Sequence, residues 1–200
     1  MWAIGFRGLA LVCLLVLGTV DGSRADEEAP PDAIRFTARN LIVTARGEFH
    51  RWRVRRASID EEHPERSVVE VEVDLGSVDT GIERRDEHLR TADFFDVERF
   101  PAALVTLEGF RLHEGEKVDR FTADVTLDLH GVTRRFPMEF TIVDRETRRI
   151  EGEVTLRRTD YGIGGPVRRW NPVSVRDEVH VHVEATVPPA GLSEAPAPLR

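Results

Sequence analysis

The sequence predicts an all-β domain with one short helix, its core an antiparallel sheet of about eight strands. Three observations carry this. Apolar residues recur at every second position in one segment after another. The connections between those segments are mostly short, as neighbouring antiparallel strands require. No rhythm of strand, long helix and strand runs through the chain, so a doubly wound α/β fold is excluded. One-sided strands in this number close into a barrel or fold into a sandwich.

The elements follow in order. Ile34 to Ala45 and Phe49 to Ala57 read as the first two strands. Val69, Val71, Val73 and Leu75 then share one face, with Glu70, Glu72 and Asp74 on the other. Ala103 to Phe110 is a fourth strand. Phe121, Ala123, Val125, Leu127 and Leu129 alternate with polar residues in the fifth. Phe136, Met138, Phe140 and Ile142 form the apolar face of the sixth; Ile150, Val154 and Leu156 mark the seventh. Val179, Val181, Val183, Ala185 and Val187 mark the eighth. Leu129-His-Gly131 and Arg145 to Arg149 are the hairpin turns.

The segment from Gly76 to Pro101 breaks this alternation. Asp79 or Thr80 can cap a helix that begins near Ile82 and runs about three turns. Ile82 and Leu89, seven apart, fall on one face. Asp93 restarts a turn that delivers Phe94 and Phe95, and Phe100, placed before Pro101, is driven to an extended conformation.

The termini read differently. Arg7 followed by the apolar run Gly8 to Leu17, then Ser23-Arg24-Ala25, predicts a secretory signal peptide over residues 1–25. Residues 26–32 are an acidic leader, 33–187 the domain, and 188–200 a Pro/Ala-rich tail too poor in apolar mass to order itself. The signal implies a periplasmic or secreted protein. The sole cysteine, Cys13, lies in the signal, so the exported domain holds no disulfide and depends on its core. The formal charge of −8 argues against general nucleic-acid binding.

No nucleophile elbow, zinc-protease helix or P-loop is present in the sequence, and no carboxylate pair is singled out. No catalytic residue, metal site or cofactor is therefore assigned. His180 and His182, two apart on a polar strand face, could ligate a metal with a neighbour's help, or stand as solvated histidines. Arg51, Arg53 and Arg55 face the acidic stripe Glu70, Glu72 and Asp74, which predicts ion pairing across a hairpin at roughly 0.2–1 kcal/mol a pair. Arg85 and Asp86 are expected to join an arginine–carboxylate network that fixes the helix to the sheet. Arg168, Arg169 and Trp170, in the long loop before the last strand, are candidates for a lipid head group or a membrane surface; a solvated loop is the competing reading.

Ser77-Val-Asp-Thr-Gly81, Arg85-Asp-Glu-His-Leu89, Asp93-Phe-Phe-Asp96 and Phe100-Pro101 together resemble the signature of the YceI-like family. Ala123 to Thr133, ending His-Gly-Val-Thr, is similar to that family's central hairpin. Asp160-Tyr-Gly162 and Arg176-Asp-Glu-Val179 resemble its closing segments. Ala123 stands where the family has glycine. The resemblance implies a lipocalin-like barrel exported to the periplasm, which binds a polyisoprenoid-type amphiphile such as a prenyl diphosphate or a quinone.

A barrel of this size can be filled by its own side chains or can hold a ligand. If it is hollow, Phe121, Val125, Leu127, Phe136, Met138, Phe140, Val181 and Val183 would line it. Ile82, Leu89, Phe94 and Phe95 would close one part, with Arg85 and Asp86 fixing that clasp. Burial stabilises by ~0.8 kcal/mol per methylene, so a few isoprene units gain roughly 10 kcal/mol, comparable to the ~4–15 kcal/mol cost of association. A packed interaction barrel, or a lipid- or metal-dependent enzyme using His180 and His182, are the alternatives.

Overall fold

In a computed structural model of the chain, residues 32–40, 42–60, 62–113, 120–166 and 175–187 are described. The predicted signal peptide, nearly all of the acidic leader, the tail and the Arg168-Arg169-Trp170 loop lie outside them. The strands are β1 (Ala33–Arg39), β2 (Thr44–Phe49), β3 (Trp52–Ser58), β4 (Val68–Asp74), β5 (Val78–Asp79), β6 (Ala102–His113), β7 (Arg120–Leu129), β8 (Val132–Asp144), β9 (Arg149–Arg157) and β10 (Glu178–Thr186). One helix, α1, spans Glu83–Arg90. All ten strands belong to one antiparallel sheet, in the order β3-β4-β6-β7-β8-β9-β10-β1-β2-β5.

The all-β class with a single α-helix stands; the count of eight strands and the closed barrel do not. The sheet is a curled half-barrel with β3 and β5 at its ends. Two local causes account for the count. The stretch Ile34 to Ala45 is cut at Asn40, whose side-chain Oδ1 accepts the amides of Ile42 and Val43 at 2.8 and 2.6 Å. That turn makes β1 and β2 a hairpin, with Ala38 opposite Ala45. Val78–Asp79 adds a strand too short to show alternation. The sheet stays open because the chain leaves β2 at Phe49 and re-enters at Trp52 on the far side of the gap. His50 and Arg51 donate their amides to the Ser77 carbonyl and hydroxyl, at 3.3 and 3.0 Å, so single bonds cross there instead of a ladder.

The predicted turns are in place. Leu129 pairs with Val132, and His130 and Gly131 both take positive φ (55° and 73°), the geometry of a two-residue hairpin loop. Phe100 lies on this turn: its ring is 4.7 Å from that of His130, and a Cβ on Gly131 would fall 2.8 Å from its edge. Two separated parts of the signature thus meet. The charge stripes pair as expected: Arg53 with Glu72 at 2.8 Å and Arg51 with Asp74 at 2.9 Å. A bulge between Val54 and Arg56 shifts the third pair, bringing Arg56 rather than Arg55 to Glu70.

The helix departs from expectation. It has eight residues, about two turns, and its N-cap is Ile82, which makes no side-chain cap. Asp79 is spent on the Gly81 amide instead, at 2.6 Å.

Candidate functional site

The inward faces of the strands do not meet. They enclose a cavity of about 580 Å³, within the ~300–1,000 Å³ range of small-molecule pockets. This accounts for a feature of the core. Of the described core side chains only Leu75, Val78 and Ala123 are buried to within 2% of full exclusion, while inward residues such as Val71, Val105, Val154 and Val181 remain half-buried against empty space.

Seven of the eight residues expected on the wall line this cavity: Val125 and Leu127 on β7, Phe136, Met138 and Phe140 on β8, and Val181 and Val183 on β10. Phe121 does not. It shares their face but lies beyond the cavity's end, stacked on Phe140 (5.1 Å, 11°) and tilted against Phe110 (5.7 Å). Gly152 on β9 makes this end possible, since a Cβ there would fall 2.6 Å from the Phe140 ring and 2.8 Å from the Met138 methyl.

The opposite end carries the polar groups. Arg39, Asn40, Thr80, Arg85 and His88 reach the cavity there, beside Val43. Of the lining residues in this group, Arg39, Val43 and His88 are exposed, which marks the mouth. Leu89, Phe94 and Phe95 close over the cavity, Phe95 set edge-on to Phe49 at 5.8 Å and Phe94 to His88 at 4.9 Å. Ile82 takes no part in this closure. It is 53% exposed because it stands at the cap position, outside the helical turn that points inward.

Arg85 and Asp86 fix the clasp, but not as an arginine–carboxylate network. Both converge on Thr80. Buried Asp86 accepts the Thr80 amide at 2.9 Å and the Thr80 hydroxyl, while Arg85 donates to that hydroxyl oxygen at 2.7 Å and to the Thr80 carbonyl at 2.8 Å. Arg90 ties the helix end to the carbonyls of Gly76 and Val78, at 3.0 and 3.1 Å.

The lining residues not singled out from the sequence include three near the end of β9. Tyr161 and Ile163 follow β9 and are buried on the wall; burial raises the Tyr161 pKa above its ordinary value, so the phenol stays protonated. Arg158 is buried and donates to the carbonyls of Ile163, Gly165, Val175 and Arg176. Burial lowers its pKa, and nearby Asp177 opposes that shift. The Asp160-Tyr-Gly162 segment was a visible signal for Tyr161; nothing in the alternation marks Arg158.

His180 and His182 lie outside the cavity. His180 bonds the Thr155 hydroxyl at 2.9 Å, and His182 lies 3.2 Å from both Glu153 and Glu184. Among the described residues no group of three or more such side chains is arranged to hold a metal ion.

Comparison with known proteins adds to this geometry. Residues 28–187 match the family described as the YceI-like domain. Protein YceI of Salmonella arizonae is 30% identical over 134 residues, 64% of this chain and 66% of that protein, just under two thirds of its length. BcnA of Burkholderia cenocepacia superposes with a TM-score of 0.67 at 17% identity, covering 78% of this chain and 96% of the other. A polyisoprenoid binding domain from Saccharophagus degradans, implicated in plant cell wall breakdown, superposes at 0.57 and 18% identity, covering 78% and 93%. At these identities the likeness is one of fold.

Proposed function

The chain belongs to the YceI-like domain family, and from that premise we propose that it is a non-catalytic binding protein for a long-chain isoprenoid-type lipid of the prenyl diphosphate or quinone class. The tail lies in the cavity and the head group at the mouth. The observation that carries this is the distribution of polarity along one cavity: aliphatic and aromatic side chains along its length, and Arg39, Asn40, Arg85 and His88 gathered at its open end. An amphiphile has the same distribution. Each buried methylene contributes ~0.8 kcal/mol, so hydrocarbon alone supplies the affinity and the mouth selects among head groups. The name of the Saccharophagus degradans neighbour supports the same ligand class. Arg168, Arg169 and Trp170 remain head-group candidates. The packed-barrel alternative is disfavoured by the size of the cavity.

The protein works in the periplasm or beyond, after cleavage following Ala25, where it carries, stores or sequesters its lipid. Amino-terminal sequencing of the exported protein should begin at Asp26. Organic extraction of protein purified from its own host should release an isoprenoid detectable by mass spectrometry, and the stripped protein should take up added prenyl diphosphate or quinone. Val181→Trp, which fills the cavity from β10, should abolish uptake while leaving the circular dichroism unchanged. No extracted isoprenoid together with no uptake of either lipid would overturn the proposal.

A further inference from the structure

The β1–β2 turn combines two properties. Its tip is apolar and exposed: Ile42 is 69% and Val43 51% accessible, and Val43 also reaches the cavity. Its base is basic and, among the described residues, unpaired. Most described arginines hold a carboxylate or a carbonyl, as Arg35, Arg53, Arg90, Arg135 and Arg157 do. Apart from Arg66, the arginines whose guanidinium groups hold no partner among the described residues are Arg39, Arg46, Arg84 and Arg176.

Strand register and a backbone bond bring three of these to one place, and the fourth lies on the helix at the cavity mouth. Arg39 lies opposite Thr44, so Arg46, two residues further on, is its diagonal neighbour on the same sheet face. The Arg176 amide donates to the Arg39 carbonyl at 2.7 Å, which sets Arg176 beside it. Arg84 stands one helical turn before His88, a residue of the mouth. Asp177, next to Arg176, is held by Arg157, and no described carboxylate forms an ion pair with this group. Like charges side by side on a sheet are unfavourable without a counter-charge. On a chain of net charge −8, whose described arginines are otherwise paired except for Arg66, a basic cluster behind an apolar tip has the layout of an interfacial anchor: hydrocarbon enters the lipid boundary and cations meet the phosphates.

We propose that this turn docks the protein on an anionic lipid bilayer, with Ile42 and Val43 entering the interface and Arg39, Arg46 and Arg176 contacting lipid phosphates. Arg84 flanks the contact from the helix. The cavity then faces the membrane, so its lipid passes between bilayer and protein without crossing water. This rests on the lipid-binding reading above, but its test does not. In a Cys13→Ser chain, Ile42→Cys carries an environment-sensitive nitrobenzoxadiazole dye, and Val143→Cys carries it in a control. Val143 is also exposed (50%) but adjoins Ile142, which pairs with Ile150 at the opposite end of the sheet.

With vesicles of phosphatidylglycerol and phosphatidylcholine, the dye at position 42 should shift to the blue and brighten, and the dye at 143 should not. Pure phosphatidylcholine should give little response. Arg39→Gln, Arg46→Gln and Arg176→Gln should each weaken vesicle affinity about five-fold, and Ile42→Ser with Val43→Ser should abolish the blue shift; unchanged denaturation midpoints would confirm that these variants fold. Equal responses at 42 and 143, equal binding to both vesicle types, or a response that survives the triple arginine substitution would overturn the inference. Uptake of prenyl lipid from detergent without vesicles is measured separately, so loss of docking and loss of lipid binding are distinguishable.

Discussion

The wall of the cavity and the segment that closes over it are held by different interactions, and the contrast explains where the family's signature lies. The wall consists of alternating aliphatic and aromatic side chains whose contacts are non-directional and which border an open cavity. Many apolar side chains of similar volume satisfy such a position. The segment from Gly76 to Pro101 instead turns on individual hydrogen bonds. Asp86 and Arg85 take opposite sides of one threonine, Arg90 holds two carbonyls, and Asp79 holds the Gly81 amide. A directional bond to one atom allows few substitutes, so recognisable residues concentrate in the cap while the wall that would hold the ligand keeps only a pattern.

Mutations that remove one interaction of each kind test this contrast. Asp86→Ala should have the largest effect, about 2–3 kcal/mol in denaturant unfolding, because it strips the Thr80 amide and hydroxyl of their acceptor inside the cap. Asp86→Asn, which retains an acceptor oxygen, should recover part of the loss; equal loss in both would show that charge rather than hydrogen bonding holds the cap. Gly152→Ala should follow at about 1–3 kcal/mol, since the added Cβ overlaps the Phe140 ring and Met138 methyl. It should also shorten the cavity, visible as reduced uptake of the longest prenyl chains.

A smaller effect is expected in acid. Glu184 and Asp177 are partly buried, which raises a carboxylate's pKa, but their partners outweigh this and hold both below their ordinary values. Those partners are Arg149, Arg35 and His182 for Glu184, and Thr159 and Arg157 for Asp177. A depressed carboxylate contributes stability that is complete above about pH 4.5 and is lost as pH falls through the folded value. Thermal melts from pH 6 to pH 3 should therefore fall less steeply for Glu184→Gln than for the unchanged protein. Val181→Ala should cost least, about 1 kcal/mol or below, because its side chain borders space that is already empty and little packing is lost. A loss as large as that of Asp86→Ala would mean that the wall is a packed core.

The long strands were legible because strict alternation over seven or more residues leaves one reading, as in β7 and β10. The β1–β2 turn was hidden by its own composition: Ile42 and Val43 continue an apolar pattern, while the turn is made by the Asn40 side chain. A two-residue strand such as β5 has no period to detect. Phe121 could not be told from Val125 or Leu127, since alternation fixes the face of a strand but not how far along it a cavity extends. Thr80 was masked as the centre of the cap because bonds to a backbone amide and carbonyl leave no complementary charge in the sequence.

The four carbonyls that converge on Arg158 have one more consequence. Ile163 and Gly165 precede the connection 166–174, and Val175 and Arg176 follow it, so one guanidinium holds carbonyls on both sides of it. With the endpoints set, lengthening the connection costs little, roughly 0.6 kcal/mol for each doubling. This makes the loop a natural position for diversification, where descendants of one scaffold could acquire new peptide inserts, and where an engineer could graft a binding epitope, without disturbing the sheet.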